Sequence, residues 1–348
     1  MHKKIRVLIV DDSAFMRKAI KGLIEDDPDI EVIGLARDGM EGVEMAMANS
    51  PDVITLDVEM PRMNGLEALK IIMEKKPMPV LMLSSITTEG AHATFDALEL
   101  GAVDYIPKNL GDLSVNIVRI KDELISKIKA VSRKKVSSKQ STPHPAPLTP
   151  PFKDKFVSQK VAVVAIGAST GGPKAVQDVL TMLPSDFPAG ILVVQHMPMT
   201  FTGPYAERLN GICGMEVREA RSGDAIKPSI VLVAPGGVHT RLKRRGAIEV
   251  ELDMDNNPSD AIYKPCVDIS FTSIAQCFPC RSIGVIMTGM GSDGKDGIRA
   301  IKNAGGRAIA QDEGTCVVYG MPKAVVDEGL ADKVVPLPEI AGEILNMV

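Results

Sequence analysis

Ile5-Arg6-Val7-Leu8-Ile9-Val10-Asp11-Asp12 and Asp52-Val53-Ile54-Thr55-Leu56-Asp57 decide the fold of the first part of this chain. Each apolar run reads as a strand buried on both faces of a parallel sheet, so Asp11, Asp12 and Asp57 fall at strand C-terminal ends. Open α/β sheets place their ligand sites along that edge. Carboxylates converging there repel one another unless a hard cation lies between them, and Mg2+ prefers such oxygen ligands. Val103-Asp104-Tyr105-Ile106-Pro107-Lys108 ends a further strand on a lysine, a cation suited to pairing with phosphate. Carboxylates, metal and lysine together point to phosphoryl chemistry on an aspartate. A purely structural reading has Asp11 and Asp12 favouring the dipole of the next helix. It accounts for neither Asp57 nor Lys108.

The alternation extends outward from these strands. Ser13 is placed to N-cap a helix carrying Phe15, Ala19, Ile20, Leu23 and Ile24 at helical spacing and ended by Pro28. Strands near residues 32–35, 80–84 and 105–107 complete five βα repeats, which imply a parallel sheet covered on both faces. A last helix is expected from about Leu113 to Val131. Residues 132–155 are rich in serine, proline and lysine without apolar periodicity, the composition of a partly extended linker. Domains are therefore expected over 1–125 and 159–348, with a linker over 126–158.

Composition narrows the function. A chain of 348 residues suits two domains of ordinary size, and its formal net charge of -4 provides no basic field for nucleic acid. No apolar run approaches the roughly 20 residues of a membrane span, and the N-terminus lacks a signal-peptide core. Five cysteines, an odd number, point to reduced thiols in the cytoplasm, and Cys277-Phe278-Pro279-Cys280 has no second pair for zinc.

Asp11-Asp12, Asp57, Ser84 and Lys108 together resemble the receiver domain of response regulators, over roughly the first 120 residues. The resemblance implies a flavodoxin-like (βα)5 fold and a histidine kinase that phosphorylates Asp57. It implies Mg2+ held by Asp11, Asp12, Asp57 and the Glu59 backbone carbonyl. Ser84 and Lys108 would contact the phosphoryl group, and Tyr105 would be the aromatic that rearranges. Receivers usually carry Lys-Pro where this chain has Lys108-Asn109, a departure that bears on the peptide geometry rather than on the lysine.

The second half restarts the α/β pattern, with strands at 161–166, 191–194, 230–233 and 283–287. Residues 240–243 and 247–252 alternate around Arg245-Gly246 as an antiparallel hairpin, so the fold expected is doubly wound and mostly parallel. Gly167-Ala168-Ser169-Thr170-Gly171-Gly172 lies between a strand and a helix opened by Pro173. Such a turn exposes a serine hydroxyl beside backbone N–H groups able to bind an oxyanion. A serine nucleophile needs a base and an orienting acid. His196 ends a strand at the same sheet edge, and His239 is the reserve candidate. Asp293 follows a third strand, so Ser169, His196 and Asp293 meet on one rim. A rival motif is Gly289-Met290-Gly291-Ser292-Asp293-Gly294, a G-x-G-x-x-G with Asp312-Glu313 about 18 residues later, as in dinucleotide sites. It falls late in the domain and leaves Ser169 and His196 idle.

The order Ser, His, Asp is not that of α/β-hydrolases. With Gln195-His196-Met197-Pro198, residues 234–239 and residues 288–294, it instead resembles the catalytic domain of the CheB protein-glutamate methylesterases, from about Val161 onward. That resemblance implies a phosphorylation-activated methylesterase and glutamine deamidase in the cytoplasm. It places oxyanion donors at the backbone amides of Thr170 and Met290. Chemoreceptors are the implied substrates and the chemotaxis histidine kinase the phosphodonor. No cofactor is implied for the catalytic domain, nor any nucleic acid or membrane insertion. The unphosphorylated receiver is expected to cover the catalytic rim. Two other classes remain at this point: a response regulator with a non-catalytic binding output, and an NAD-linked enzyme.

Overall fold

The computed structural model describes residues 3–108, 113–132, 160–246 and 249–348, with side chains of 113–120 outside the described set. Asn109, the linker residues beyond 132, and Ala247-Ile248 of the expected hairpin lie outside the described residues. The chain divides into two compact units between Ser141 and Thr142.

The first unit alternates β1 (Ile5–Val10), α1 (Ala14–Ile24), β2 (Ile30–Ala36), α2 (Gly39–Asn49), β3 (Val53–Asp57), α3 (Gly65–Lys75), β4 (Val80–Ser84), α4 (Thr88–Glu99), β5 (Asp104–Pro107) and α5 (Leu113–Val131). The sheet order is β2-β1-β3-β4-β5, the flavodoxin-like arrangement. Parallel pairing of β1 with β3, Val10 opposite Leu56, brings Asp11 and Asp57 to the same end of adjacent strands. Polar side chains start the helices: Ser13 caps α1 through the Met16 N–H, and Asn64 with Glu67 closes a capping box on α3.

Two expectations shift. Helical spacing puts Phe15 on the buried stripe of α1, but it is 66% exposed, and Met16, Ile20 and Ile24 face the core instead. The true stripe steps by four residues, and Phe15 sits one residue, about 100°, off it. The linker boundary drawn at residue 126 falls inside α5, which runs to Val131 as the reading of that helix expects. Ile128 and Val131 are fully buried against Ile20, Ile24 and Leu124. Burial of each stabilises the unit by roughly 1.5–3 kcal/mol. Lys127 adds a buried ion pair to Asp104 at 2.7 Å and donates to the Tyr105 carbonyl at 2.7 Å, tying α5 to β5.

The second unit runs β6 (Val163–Ala168), α6 (Gly172–Thr181), β7 (Gly190–Gln195), α7 (Met199–Ile212), β8 (Glu216–Glu219), β9 (Ile230–Val233), β10 (His239–Arg245), β11 (Glu249–Asp255), α8 (Val267–Cys277), β12 (Ser282–Ile286), α9 (Lys295–Asn303), β13 (Arg307–Gln311), α10 (Met321–Asp327), β14 (Lys333–Val335) and α11 (Leu337–Met347). Seven strands form one sheet in the order β14-β13-β12-β6-β7-β9-β8, and every neighbouring pair is parallel. The hairpin β10-β11 is a separate antiparallel sheet. Its Leu242 and Leu252 pack into the core beside Phe271 and Ile274 of α8. From β6 the chain first winds toward β7, then returns to add β12 on the other side. A crevice therefore opens beyond the carboxyl ends of β6, β7 and β12.

Candidate active site

Strand register brings the predicted residues together. Ala168 pairs with Gln195 and Gly167 with Ile286, so the residues after β6, β7 and β12 emerge side by side. The His196 N–H donates to the Ala168 carbonyl at 3.1 Å, and the Ser169 N–H donates to the Thr288 carbonyl at 3.0 Å. These bonds hold Ser169 between His196 and the loop that carries Asp293. Gly171 then adopts φ +73, the left-handed region glycine enters without steric cost, and α6 begins at Gly172 with Pro173 in its first turn.

His196 Nε2 lies 2.8 Å from Asp293 Oδ2. The ring is stacked on Tyr263, with centroids 4.0 Å apart and planes within 8°. Asp293 Oδ2 also accepts the Val267 N–H at 2.8 Å, while Oδ1 accepts the Asp268 N–H at 2.9 Å and the Cys266 thiol at 3.2 Å. Burial pushes the Asp293 pKa up, but the His196 bond and charge and the two amide donors outweigh it, holding the carboxyl well below the usual range. Burial pushes the Cys266 thiol up to about 12, so it stays a protonated donor. An ionised Asp293 on Nε2–H leaves the lone pair on Nδ1, which is buried and without a hydrogen-bond partner among the described residues. The Ser169 hydroxyl is not hydrogen-bonded to the ring, a contact that often tightens only with substrate present.

The loop after β12 is pressed against the serine. A Cβ on Gly289 would stand 2.9 Å from Ser169 Cβ and 3.1 Å from its backbone nitrogen, so only glycine fits. Among the described residues the Thr170 and Met290 amides donate no hydrogen bond. Thr288 Oγ1 donates to the Thr170 carbonyl at 2.9 Å and accepts the Val317 and Val318 amides at 3.0 Å each. Asp268 accepts the Gly294 and Gly297 amides at 2.9 and 2.7 Å, anchoring the far end of the Asp293 loop.

Tyr263, Cys266 and Asp268 brace the site from outside the sequence motifs, and their signal in the chain is the Pro265-Cys266-Val267-Asp268 run at the start of α8. Gln195 and Thr288 also brace it and stand inside motifs quoted above, where the sequence gives them no role of their own. His239 does not join the group: it is buried on β10, with Nε2 3.2 Å from the Pro258 carbonyl. Of the acidic pair on which the dinucleotide reading rests, Asp312 turns one oxygen, Oδ1, inward to accept the Thr315 N–H at 3.0 Å and the Thr315 hydroxyl.

The first unit gathers its own cluster. Ligand atoms of Asp11, Asp12 and Asp57 lie within 4.8 Å of one another. Lys108 Nζ bridges Asp11 Oδ2 at 2.8 Å and Asp57 Oδ2 at 2.7 Å. Burial pushes the Asp57 carboxyl up to about 6, with Lys108 opposing. Three carboxylates offering hard oxygen ligands this close together fit Mg2+. The Glu59 N–H donates to Asp57 Oδ1 at 3.4 Å. Ser84 is fully buried and donates to the Gly90 carbonyl at 3.0 Å, and Tyr105 is buried at 4% exposure. Asp11 Oδ1 accepts the Ser13 N–H at 2.9 Å, so this acid serves helix entry as well as the cluster.

Known proteins share both halves. The family model described as response regulator receiver domain matches residues 7–116, and that described as CheB methylesterase matches 164–344. A protein-glutamate methylesterase/protein-glutamine glutaminase of Nitratidesulfovibrio vulgaris is 49% identical, covering 98% of this chain and 99% of the relative. A namesake from Pyrococcus abyssi is 46% identical over 99% of this chain and 94% of its own length. The Thermotoga maritima CheB methylesterase catalytic domain superposes with a TM-score of 0.52 at 41% identity, covering 55% of this chain and all of that domain. With a receiver and a methylesterase domain matched in series and nearly half of all positions shared with whole relatives, the chain belongs to the CheB protein-glutamate methylesterase family.

Proposed function

We propose that this chain hydrolyses glutamate γ-methyl esters on chemoreceptors, releasing methanol, and deamidates receptor glutamines by the same acyl transfer. His196 bonded to Asp293 beside a glycine-crowded Ser169 carries this reading. Nδ1 of His196 takes the Ser169 proton as Oγ attacks the ester carbonyl. Asp293 holds the ring tautomer and balances the imidazolium charge. Thr170 and Met290 amides receive the developing oxyanion, donors that typically contribute about 100- to 1000-fold each. The protonated ring gives its proton to departing methanol. It then takes one from water, which attacks the acyl-enzyme and restores Ser169.

Phosphorylation of Asp57 by the chemotaxis histidine kinase raises this activity. Asp11, Asp12, Asp57 and the Glu59 carbonyl would hold Mg2+, which would supply charge neutralisation for phosphoryl transfer. Lys108 and Ser84 receive the phosphoryl oxygens, and Tyr105 reports the change. Among the described residues no helix is long and apolar enough to cross a membrane. The enzyme works in the cytoplasm, on the same side as the kinase that phosphorylates it.

The test is methanol release from methylated receptor membranes, with and without a small phosphodonor and Mg2+, using Ser169→Ala as control. Release that rises with phosphodonor and vanishes in the variant supports the reading. Equal release by Ser169→Ala would overturn it.

A further inference from the structure

Gln195 ends β7 after the apolar run 191–194 and is 1% exposed, a polar side chain inside an otherwise apolar strand. Its Nε2 donates to the Ser169 carbonyl at 2.8 Å and to the His196 carbonyl at 3.2 Å. Its Oε1 is buried without a hydrogen-bond partner among the described residues. Turning the amide over would face that oxygen toward two carbonyl oxygens, so the donors dictate the orientation. Glycine at 172 keeps the space open, since a Cβ there would overlap Oε1. An unmatched buried acceptor opposes folding, and an apolar side chain of similar size would avoid it. The amide is therefore kept for its two donors.

The groups those donors hold are specific. The Ser169 carbonyl and the Thr170 N–H belong to one peptide unit. That unit is planar and trans, so its C=O and N–H point in opposite directions. Holding the oxygen aims the hydrogen. The same oxygen also accepts the Gly172 N–H at 2.8 Å, and donors on a carbonyl polarise the unit and strengthen its N–H. We propose that Gln195 is a positioning residue: it aims and polarises the Thr170 amide for the oxyanion while its second bond ties the His196 peptide to the same frame. The proposal rests on the reading of Ser169 as nucleophile and Thr170 as oxyanion donor.

The full chain is tested on methylated receptor membranes with phosphodonor present. Gln195→Met keeps nearly the same volume and removes both donors. Its kcat should fall roughly 10- to 100-fold with KM within about 2-fold, the mark of an interaction made in the transition state. Gln195→Glu keeps the shape; protonated it donates once, ionised not at all. Its rate relative to wild type should therefore drop steadily between about pH 6 and about pH 8. An unchanged kcat in Gln195→Met overturns the proposal. Should that variant not fold, a rate ratio for Gln195→Glu that is flat with pH overturns it instead. Ser169→Ala separates the layers: inactive Ser169→Ala beside wild-type-like Gln195→Met sinks this proposal alone, whereas active Ser169→Ala sinks the reading beneath it.

Discussion

His196 Nε2 and Asp293 Oδ2 stand 2.8 Å apart, and the Val267 N–H donates to the same carboxylate oxygen. Replacing that oxygen with an amide nitrogen would oppose a donor to Val267 and release the ring tautomer. Asp293→Asn should lose about 10^4-fold in kcat with the fold intact by circular dichroism.

The acids around this pair also set opposite pH dependences. Asp293 is held below the usual carboxylate range, so its stabilisation is complete above its unfolded pKa of about 4 and lost as pH falls further. Burial pushes the Asp268 carboxyl up to about 6, so its ionisation costs stability above that pH and the cost fades between about 6 and 4. Urea midpoints of the wild type should include a rise on acidification toward pH 4 that Asp268→Asn lacks. Identical profiles for the two would contradict this assignment.

Asp57 predicts how the metal and the phosphodonor act. Its carboxyl is pushed up to about 6 by burial, so ionisation above that pH weakens the metal-free fold, and protonation below it competes with a cation. Mg2+ should raise the thermal midpoint more at pH 7.5 than at pH 5.5, and the difference should disappear in Asp57→Asn. That variant should keep basal methanol release and lose its stimulation by phosphodonor.

Gly289 is crowded from both sides, by Ser169 and by Met321 Sδ. Gly289→Ala should destabilise the second unit by about 1–3 kcal/mol and displace the serine. Activity measured well below the melting transition should fall at least 10-fold. Wild-type rates in a stable variant would show that the loop has room to move.

Tyr263 lays its ring face on the imidazole, with centroids 4.0 Å apart. Tyr263→Phe should retain activity, and Tyr263→Ala should lose roughly 10-fold, since a ring pair of this kind contributes about 0.5–1.5 kcal/mol beyond burial. Equal losses in both variants would assign the role to the hydroxyl instead.

Much of this protein is legible in one dimension. Buried parallel strands are written as short apolar runs, and the residues after each run must surface at the sheet's carboxyl edge. Asp11, Asp57, Lys108, Ser169, His196 and Asp293 can therefore be grouped from the chain alone. Periodicity is weaker on amphipathic helices, where a one-residue error in phase puts Phe15 inside. A domain boundary at residue 125 stops short of the end of α5, where buried aliphatic residues are interleaved with lysines.

Tertiary structure alone decided how the groups are aimed. Which imidazole nitrogen meets Asp293, which ring stacks on His196, and which way the Gln195 amide turns all depend on partners distant in the chain. Apolar patterning encodes which face of an element is buried. The direction of a hydrogen bond is set only when separate segments close around it.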